Sequence, residues 1–194
     1  MTRSLTKAEI RNSALLSRDA TDPEARIEAS LAIAEIGAGS IDIRPGEIVS
    51  GFWPIRSEVD VRPLMFRLME KGARLCLPVV LDRTTILFRE LVRGAPMVDT
   101  GFGTAGPGEE ADVLDPDLIL APLAAFDSTG HRIGYGAGHY DRAIARLRDR
   151  GKMPRLIGVA LDVQEVETVP AEDHDIPLPA ILTESGMRRF SVQD

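Results

Sequence analysis

Four consecutive apolar residues, Leu118, Ile119, Leu120 and Ala121, stand between Asp117 and Pro122. A strand that is apolar at every position, with no polar alternation, has to be covered on both faces, which puts it inside a sheet with helices on either side. Residues 155–161 and 180–183 read as apolar strands too, and residues 47–53, 74–80 and 85–91 as further strands, the last two joined by a turn at Asp82-Arg83. Helices fall between them. Thr6 caps the first, and Asp22-Pro23 opens a second that runs to about Ile36, with Gly37 just past its end. Asp60 caps a third over 61–71, closed by Gly72, and a fourth covers about 138–150. This alternation predicts an α/β fold: a three-layer sandwich, mainly parallel sheet with helices on both faces. At ~100–200 residues per domain, residues 1–194 are expected to form a single domain.

Hydrophobic residues make up 44 % and charged residues 27 %, so the chain can bury a sizeable core and is far from a disordered composition. Cys76 is the only cysteine. It excludes an intramolecular disulfide and fits a reducing compartment. The N-terminal stretch carries charges every few residues with no apolar core, unlike a secretory signal, and no apolar run approaches the ~20 residues of a membrane span. A cytoplasmic protein that does not use a membrane is the expectation. The net charge of −7 argues mildly against nucleic acid. That total hides an asymmetry: residues 131–155 hold seven basic and two acidic residues, whereas 156–184 hold seven acidic and no basic ones.

The sharpest segment lies inside the basic stretch: Arg132-Ile133-Gly134-Tyr135-Gly136-Ala137-Gly138-His139-Tyr140-Asp141-Arg142. Three alternate glycines let a backbone fold closely around a ligand just before a helix, whose free N–H groups and dipole suit a phosphate. The motif is neither a dinucleotide fingerprint, since a polar turn precedes it, nor a Walker A loop, since no Lys-Ser/Thr follows. The alternative, and the less favoured one, is a tight turn whose aromatics belong to the core. Asp141, in the first helical turn, serves either as a dipole partner or as a ligand for Mg2+, which is commonly held by one or two carboxylates plus substrate phosphates. The acidic run 172–175 offers a second carboxylate, although such runs are more often solvated loops. Lys7 and Arg11 share one face of the first helix, by spacing alone an ordinary solvated face. Trp53, with Glu58 five residues on, either holds a flat polar heterocycle or is simply core beside a capping turn. Residues 94–110, with five glycines and two prolines, read as a long loop.

Taken in order, these pieces resemble the 5-formyltetrahydrofolate cyclo-ligase family, also called methenyltetrahydrofolate synthetases. The resemblance runs nearly end to end: Lys7-x-x-x-Arg11, then Trp53 with Glu58-Val59-Asp60, then FGTAGP at 102–107. DLILAP at 117–122, AFD at 125–127 with Gly130 and Arg132, and GYGAGHYDR at 134–142 follow. Gly158-Val-Ala with Gln164, and Val169-Pro170 leading to His174 and Asp175, complete the series.

The resemblance implies an ATP-dependent ligase converting 5-formyltetrahydrofolate to 5,10-methenyltetrahydrofolate, with ADP and phosphate released. Lys7 and Arg11 would grip ATP phosphates, Arg11 near the transferred group and, with Tyr140, in the catalytic set. Arg132, Ile133, Gly134, Tyr135, Gly136, Ala137, Gly138, His139 and Tyr140 would wrap the nucleotide. The part from Tyr135 to His139 would also touch the folate. Trp53 would lie against the folate and Glu58 would accept from pteridine N–H groups. Asp141 and Asp175 would hold Mg2+, leaving Glu172 and Asp173 as bystanders. A monomer or weak homodimer is expected. Two rivals from other classes are a catalytically silent nucleotide- or phosphate-binding module and a phosphosugar-acting enzyme of similar α/β fold. Neither explains Trp53 with Glu58.

Overall fold

The structure, a computed structural model, describes residues 5–190 apart from 102, 171, 173 and 174. Phe102 and His174 of the motif series, and Asp173, expected as a bystander, therefore lie outside the described residues.

Helix α1 (Lys7–Asp19) begins with the expected cap, and Thr6 and Glu9 close a reciprocal capping box. Such a cap stabilises a helix by about 1 kcal/mol. Helix α2 (Pro23–Ser40) starts at Asp22, whose carboxylate accepts from the N–H groups of Glu24 and Ala25. It does not stop before Gly37. The helix runs one turn further because Gly37 is a packing glycine: a Cβ there would meet Leu182 and Leu64 at 2.8 Å. Strand β1 (Ile48–Ser50) is shorter than the expected 47–53 and leads through a turn to α3 (Arg62–Glu70), whose N-cap is Val61 rather than the expected Asp60; Asp60, one residue earlier, accepts from the Arg62 N–H.

Strands β2 (Arg74–Val80) and β3 (Ile86–Glu90) form the expected hairpin, with Asp82 accepting from Thr84 and Thr85 in its turn. The expected 94–110 loop is not structureless. It folds back as a small hairpin of β4 (Met97–Asp99) and β5 (Ala105–Pro107), tied by Thr100 and Thr104. Next come β6 (Leu118–Pro122), then β7 (Ala125–Phe126) and β8 (Arg132–Ile133), which flank the polar turn. Helix α4 (His139–Asp149) and β9 (Arg155–Val159) follow, then a 3-10 turn (Asp162–Gln164). Strand β10 (Ala180–Thr183) is not the last. It turns into β11 (Gly186–Arg189), which pairs antiparallel with it. The half-exposed, basic β11 carries no apolar-run signal, which is why the sequence pattern misses it.

The main sheet has the order β11-β10-β9-β6-β1-β2-β3. Its five inner strands are parallel, and only the edge strands β11 and β3 run the other way. The apolar run of β6 is divided between two cores. Leu118 and Leu120 join α2 and α3 on one face, while Ile119 and Ala121 join Ala143, Ile144 and Leu147 of α4 on the other. Burial on both faces is thus the direct consequence of the four-residue run.

Topology locates a cleft before any side chain is considered. From β1 the chain steps outward to β2 and β3, then returns to the opposite side of β1 and continues through β6, β9 and β10. The order reverses between β1 and β6, and ligands in open α/β sheets sit beyond the carboxyl ends of strands at such a point. Helix α1 closes this end through a separate small core, in which Ile10 and Ala14 pack on Ala125, Ile133 and Val169.

Candidate active site

The glycine segment lies over the switch point, between β8 and α4. Gly136 (φ +99°) and Gly138 (φ +64°) occupy left-handed backbone, where a side chain is strained. At Gly138 space adds a second constraint, since a Cβ there would stand 2.9 Å from Arg142 Nη1, whereas at Gly136 it would make only ordinary contact with the Arg11 guanidinium. Gly138 is the N-cap of α4 and supplies no side-chain cap, so the first N–H groups of the helix are left to a ligand or solvent.

Two clefts share this loop. The first, of about 520 Å³, is lined by Lys7, Arg11, Arg132, the loop, Asp141 and Asp175. The second, of about 620 Å³, is lined by Phe52, Trp53, Glu58, Pro78, Pro122, Tyr135 and the loop through Tyr140. Gly136, Ala137, Gly138, His139, Tyr140 and Arg142 belong to both. The structure thus brings every described residue expected in the site to one of two adjoining clefts.

In the first cleft cations and carboxylates alternate. Arg11 donates from Nε to the Gly134 carbonyl at 2.7 Å. Lys7 Nζ lies 2.6 Å from Asp175 Oδ2 and 3.1 Å from Glu172 Oε1. Burial works against the Lys7 charge, but the hydrogen bonds and charges of Asp175 and Glu172 outweigh it and raise its pKa. Glu172 is therefore a partner of Lys7 and not the bystander expected from sequence. Arg132 donates to Asp141 at 2.6 Å and to the Ile176 carbonyl. Arg142 donates to Thr84 and Ala137 carbonyls, and His139 meets the Arg83 carbonyl at 3.1 Å, which moors the loop to the β2–β3 turn. Asp141 and Asp175 supply hard oxygen donors on one cleft, the kind of partial set that Mg2+ completes with substrate phosphates and water. Each already faces a cation, so their fit to Mg2+ depends on those pairs exchanging.

The second cleft is built around a buried acid. Glu58 Oε2 accepts from the Ile55 N–H at 2.9 Å, and the Tyr135 hydroxyl is a close polar neighbour of the carboxylate. Burial pushes the Glu58 pKa above its ordinary value, against the pull of Tyr135, Ile55 and the Arg18 charge. Trp53 sits at the cleft wall with the Arg62 guanidinium 5.0 Å from its ring centroid, and Asp60 holds Arg62 in place through two 2.7 Å bonds. Tyr140 stands between the clefts. Its buried hydroxyl has no hydrogen-bond partner among the described residues, and burial raises its pKa, so it is a neutral donor. Cys76 takes no part: burial pushes its thiol up to about 12.

Sequence reading gives no role to Arg18, which lies beneath Tyr135, and places Asp127 in the motif series without the role the structure shows, fastening the β7–β8 turn and the Val169 N–H. Arg18 follows Arg11 by two helical turns, and that spacing was the available signal.

The 5-formyltetrahydrofolate cyclo-ligase family matches residues 3–184. A 5-formyltetrahydrofolate cyclo-ligase of Escherichia coli (strain K12) is 34 % identical over 145 residues, covering 71 % of this chain and 78 % of that one. Its counterpart in Mycolicibacterium smegmatis is 31 % identical over 185 residues, covering 91 % and 93 %. The solution structure of Aquifex aeolicus 5,10-methenyltetrahydrofolate synthetase superposes with a TM-score of 0.79 at 28 % identity, covering 98 % of this chain and 95 % of that one. With a family match across nearly its whole length and the same fold, this chain belongs to the 5-formyltetrahydrofolate cyclo-ligase family.

Proposed function

We propose that this protein converts 5-formyltetrahydrofolate to 5,10-methenyltetrahydrofolate at the expense of ATP, releasing ADP and phosphate. The observation that carries the reading is that a cationic cleft and an acid-bearing aromatic cleft share one glycine loop. A triphosphate in the first and a pteridine in the second bring a γ-phosphate and a formyl group to the same backbone.

The chemistry explains the residue types. A formamide oxygen is a poor leaving group, so it first takes the γ-phosphoryl group from ATP. The neighbouring folate nitrogen then attacks the activated carbon and loses its proton, and the C–O bond breaks to release phosphate. Phosphoryl transfer of this kind rests on positioning and on neutralising charge rather than on a protein nucleophile. Arg11, held against Gly134 and Gly136, faces the transferred group. Lys7 and Arg132 take up the remaining phosphate charge, and the N–H groups at the start of α4 receive phosphate oxygens. Glu58 accepts from the pteridine N–H groups, with Trp53 against its ring. Tyr140, neutral and with an uncommitted hydroxyl proton, donates to an oxygen of the reacting group. Asp141 and Asp175 would hold Mg2+, which supplies charge neutralisation on the triphosphate when bound.

The test is direct. Protein supplied with Mg-ATP and 5-formyltetrahydrofolate is expected to show the near-UV absorption of the methenyl product. Omitting either substrate should abolish it. Folded protein that gives no ATP-dependent rise would overturn the reading.

A further inference from the structure

Arg18 lines neither cleft, yet it is only 3 % exposed. A buried guanidinium is costly unless its donors are used, and here they converge on the Glu58 cleft. Its Nη1 donates to the Tyr135 hydroxyl at 2.6 Å and its Nε to Ser57 Oγ at 3.0 Å. Ser57 Oγ in turn donates to Asp19, the residue after Arg18. Ser57 adjoins Glu58 in the turn that follows β1, the same turn whose Ile55 N–H holds Glu58.

The direction of these bonds matters. A guanidinium only donates, so the Tyr135 oxygen must accept from Arg18, which leaves its single proton free to face the neighbouring Glu58 carboxylate. Tyr135 sits between Gly134 and Gly136 with its side chain part-exposed, 40 % in all, so little else near its backbone limits its swing. Without Arg18 that phenol loses its anchor beside Glu58, and the Ser57 turn keeps only its Asp19 bond to α1.

We propose that Arg18 is a positioning residue of the pteridine cleft, acting through Tyr135 and the Ser57 turn to hold Glu58 as a fixed acceptor for the folate. This rests on the folate reading of that cleft. Arg18 touches no substrate, and its effect belongs to one substrate only: the ATP cleft contains neither Tyr135 nor Glu58.

The experiment is steady-state kinetics of R18M, R18K, Y135F and R18M/Y135F, with KM measured separately for each substrate. R18M and Y135F should each raise the KM for 5-formyltetrahydrofolate about tenfold, the scale of one hydrogen bond to a charged group. The KM for ATP should stay within about twofold. The double variant should be no worse than the more damaged single by more than about twofold, because both changes break the same chain. R18K should recover part of the loss. In R18M the acid limb of the folate kcat/KM should move to higher pH, since a cation near Glu58 is gone. Equal rises in both KM values, fully additive losses, or a fall in melting temperature with unchanged folate KM would overturn the role. If R18M does not fold, unchanged folate KM in both R18K and Y135F overturns it. E58Q run alongside separates the two claims. If E58Q leaves the folate KM unchanged, the folate reading fails; if E58Q raises it and R18M does not, only the Arg18 role falls.

Discussion

The two clefts meet at the same six residues, from Gly136 to Tyr140 with Arg142, but are built on opposite principles. The phosphate side is a set of solvent-accessible ion pairs, with the Lys7 and Asp175 side chains 25 % and 23 % exposed and Asp141 at 37 %. An accessible pair such as Lys7–Asp175 contributes only ~0–1 kcal/mol, so exchanging its carboxylate for a phosphate costs little. The Glu58 side is a hydrogen-bonded chain from Asp19 through Ser57 and the buried Arg18 to Tyr135, which stands beside the acid. It is organised before substrate arrives, and the cost of desolvating Glu58 is met on folding. The difference suits the ligands. A triphosphate is a flexible polyanion that needs charge, whereas a pteridine is a rigid heterocycle that needs an aligned acceptor.

If that contrast is right, damage to each side should have its own signature. Arg11→Ala should show the largest effect, a fall in kcat of about 10²-fold or more from the loss of a preorganised cation at the transferred group. Its melting temperature should barely move, because Arg11 is anchored to one backbone carbonyl at the surface. An unchanged rate would return Arg11 to an ordinary solvated helix face.

Glu58→Gln comes next. The folate KM should rise about ten- to hundredfold, while the ATP KM holds. Stability should move the other way. Because burial raises the Glu58 pKa, the folded state binds this proton more tightly than the unfolded state does, so Glu58 lowers stability as pH rises from about 4.5 through its folded value. E58Q should therefore melt higher than wild type at neutral pH, and the gap should close on acidification through that window. Thermal melts across pH check the sign, and a destabilised E58Q at neutral pH would mean that the carboxylate is structural.

The smallest of the three is Asp141→Asn. As a helix-dipole partner alone, Asp141 would contribute ~0.3–1 kcal/mol. The structure adds a second role, because Asp141 pairs with Arg132, whose side chain is 7 % exposed. A stability loss of about 1–2 kcal/mol is expected, with the amide oxygen still able to accept from Arg132. The drop in turnover should exceed that loss and should show a weaker dependence on Mg2+ concentration. Wild-type turnover would remove Asp141 from the phosphate side altogether.

How much of this was legible in the sequence differs between the same two regions. On the phosphate side the local signals were alternate glycines before a helix and a first-turn acid, whereas the two cations four residues apart read as an ordinary solvated face until the ordered motif series gave them a role. The parallel sheet was readable for a related reason, since a strand covered on both faces leaves a continuous apolar run. The pteridine side was readable only in its end points, Trp53 and Glu58. Its middle was hidden because Arg18 and Tyr135 are 117 residues apart and nothing in either neighbourhood announces the other. Gly37 misled for the converse reason. A local rule makes glycine a helix stop, but here Leu64 and Leu182 from distant segments demand the missing side chain. The β4–β5 hairpin was masked by loop composition, its pairing held by Thr100 and Thr104 rather than by an apolar pattern.

The central claim is that the two clefts form one reaction centre. The most direct measurement counts ADP and methenyltetrahydrofolate in the same reaction as 5-formyltetrahydrofolate is titrated against saturating Mg-ATP. The account predicts equal amounts of the two products at every point and no ADP without the folate. Methenyl product formed without ATP, or ADP released in the absence of folate at the same rate, would contradict it.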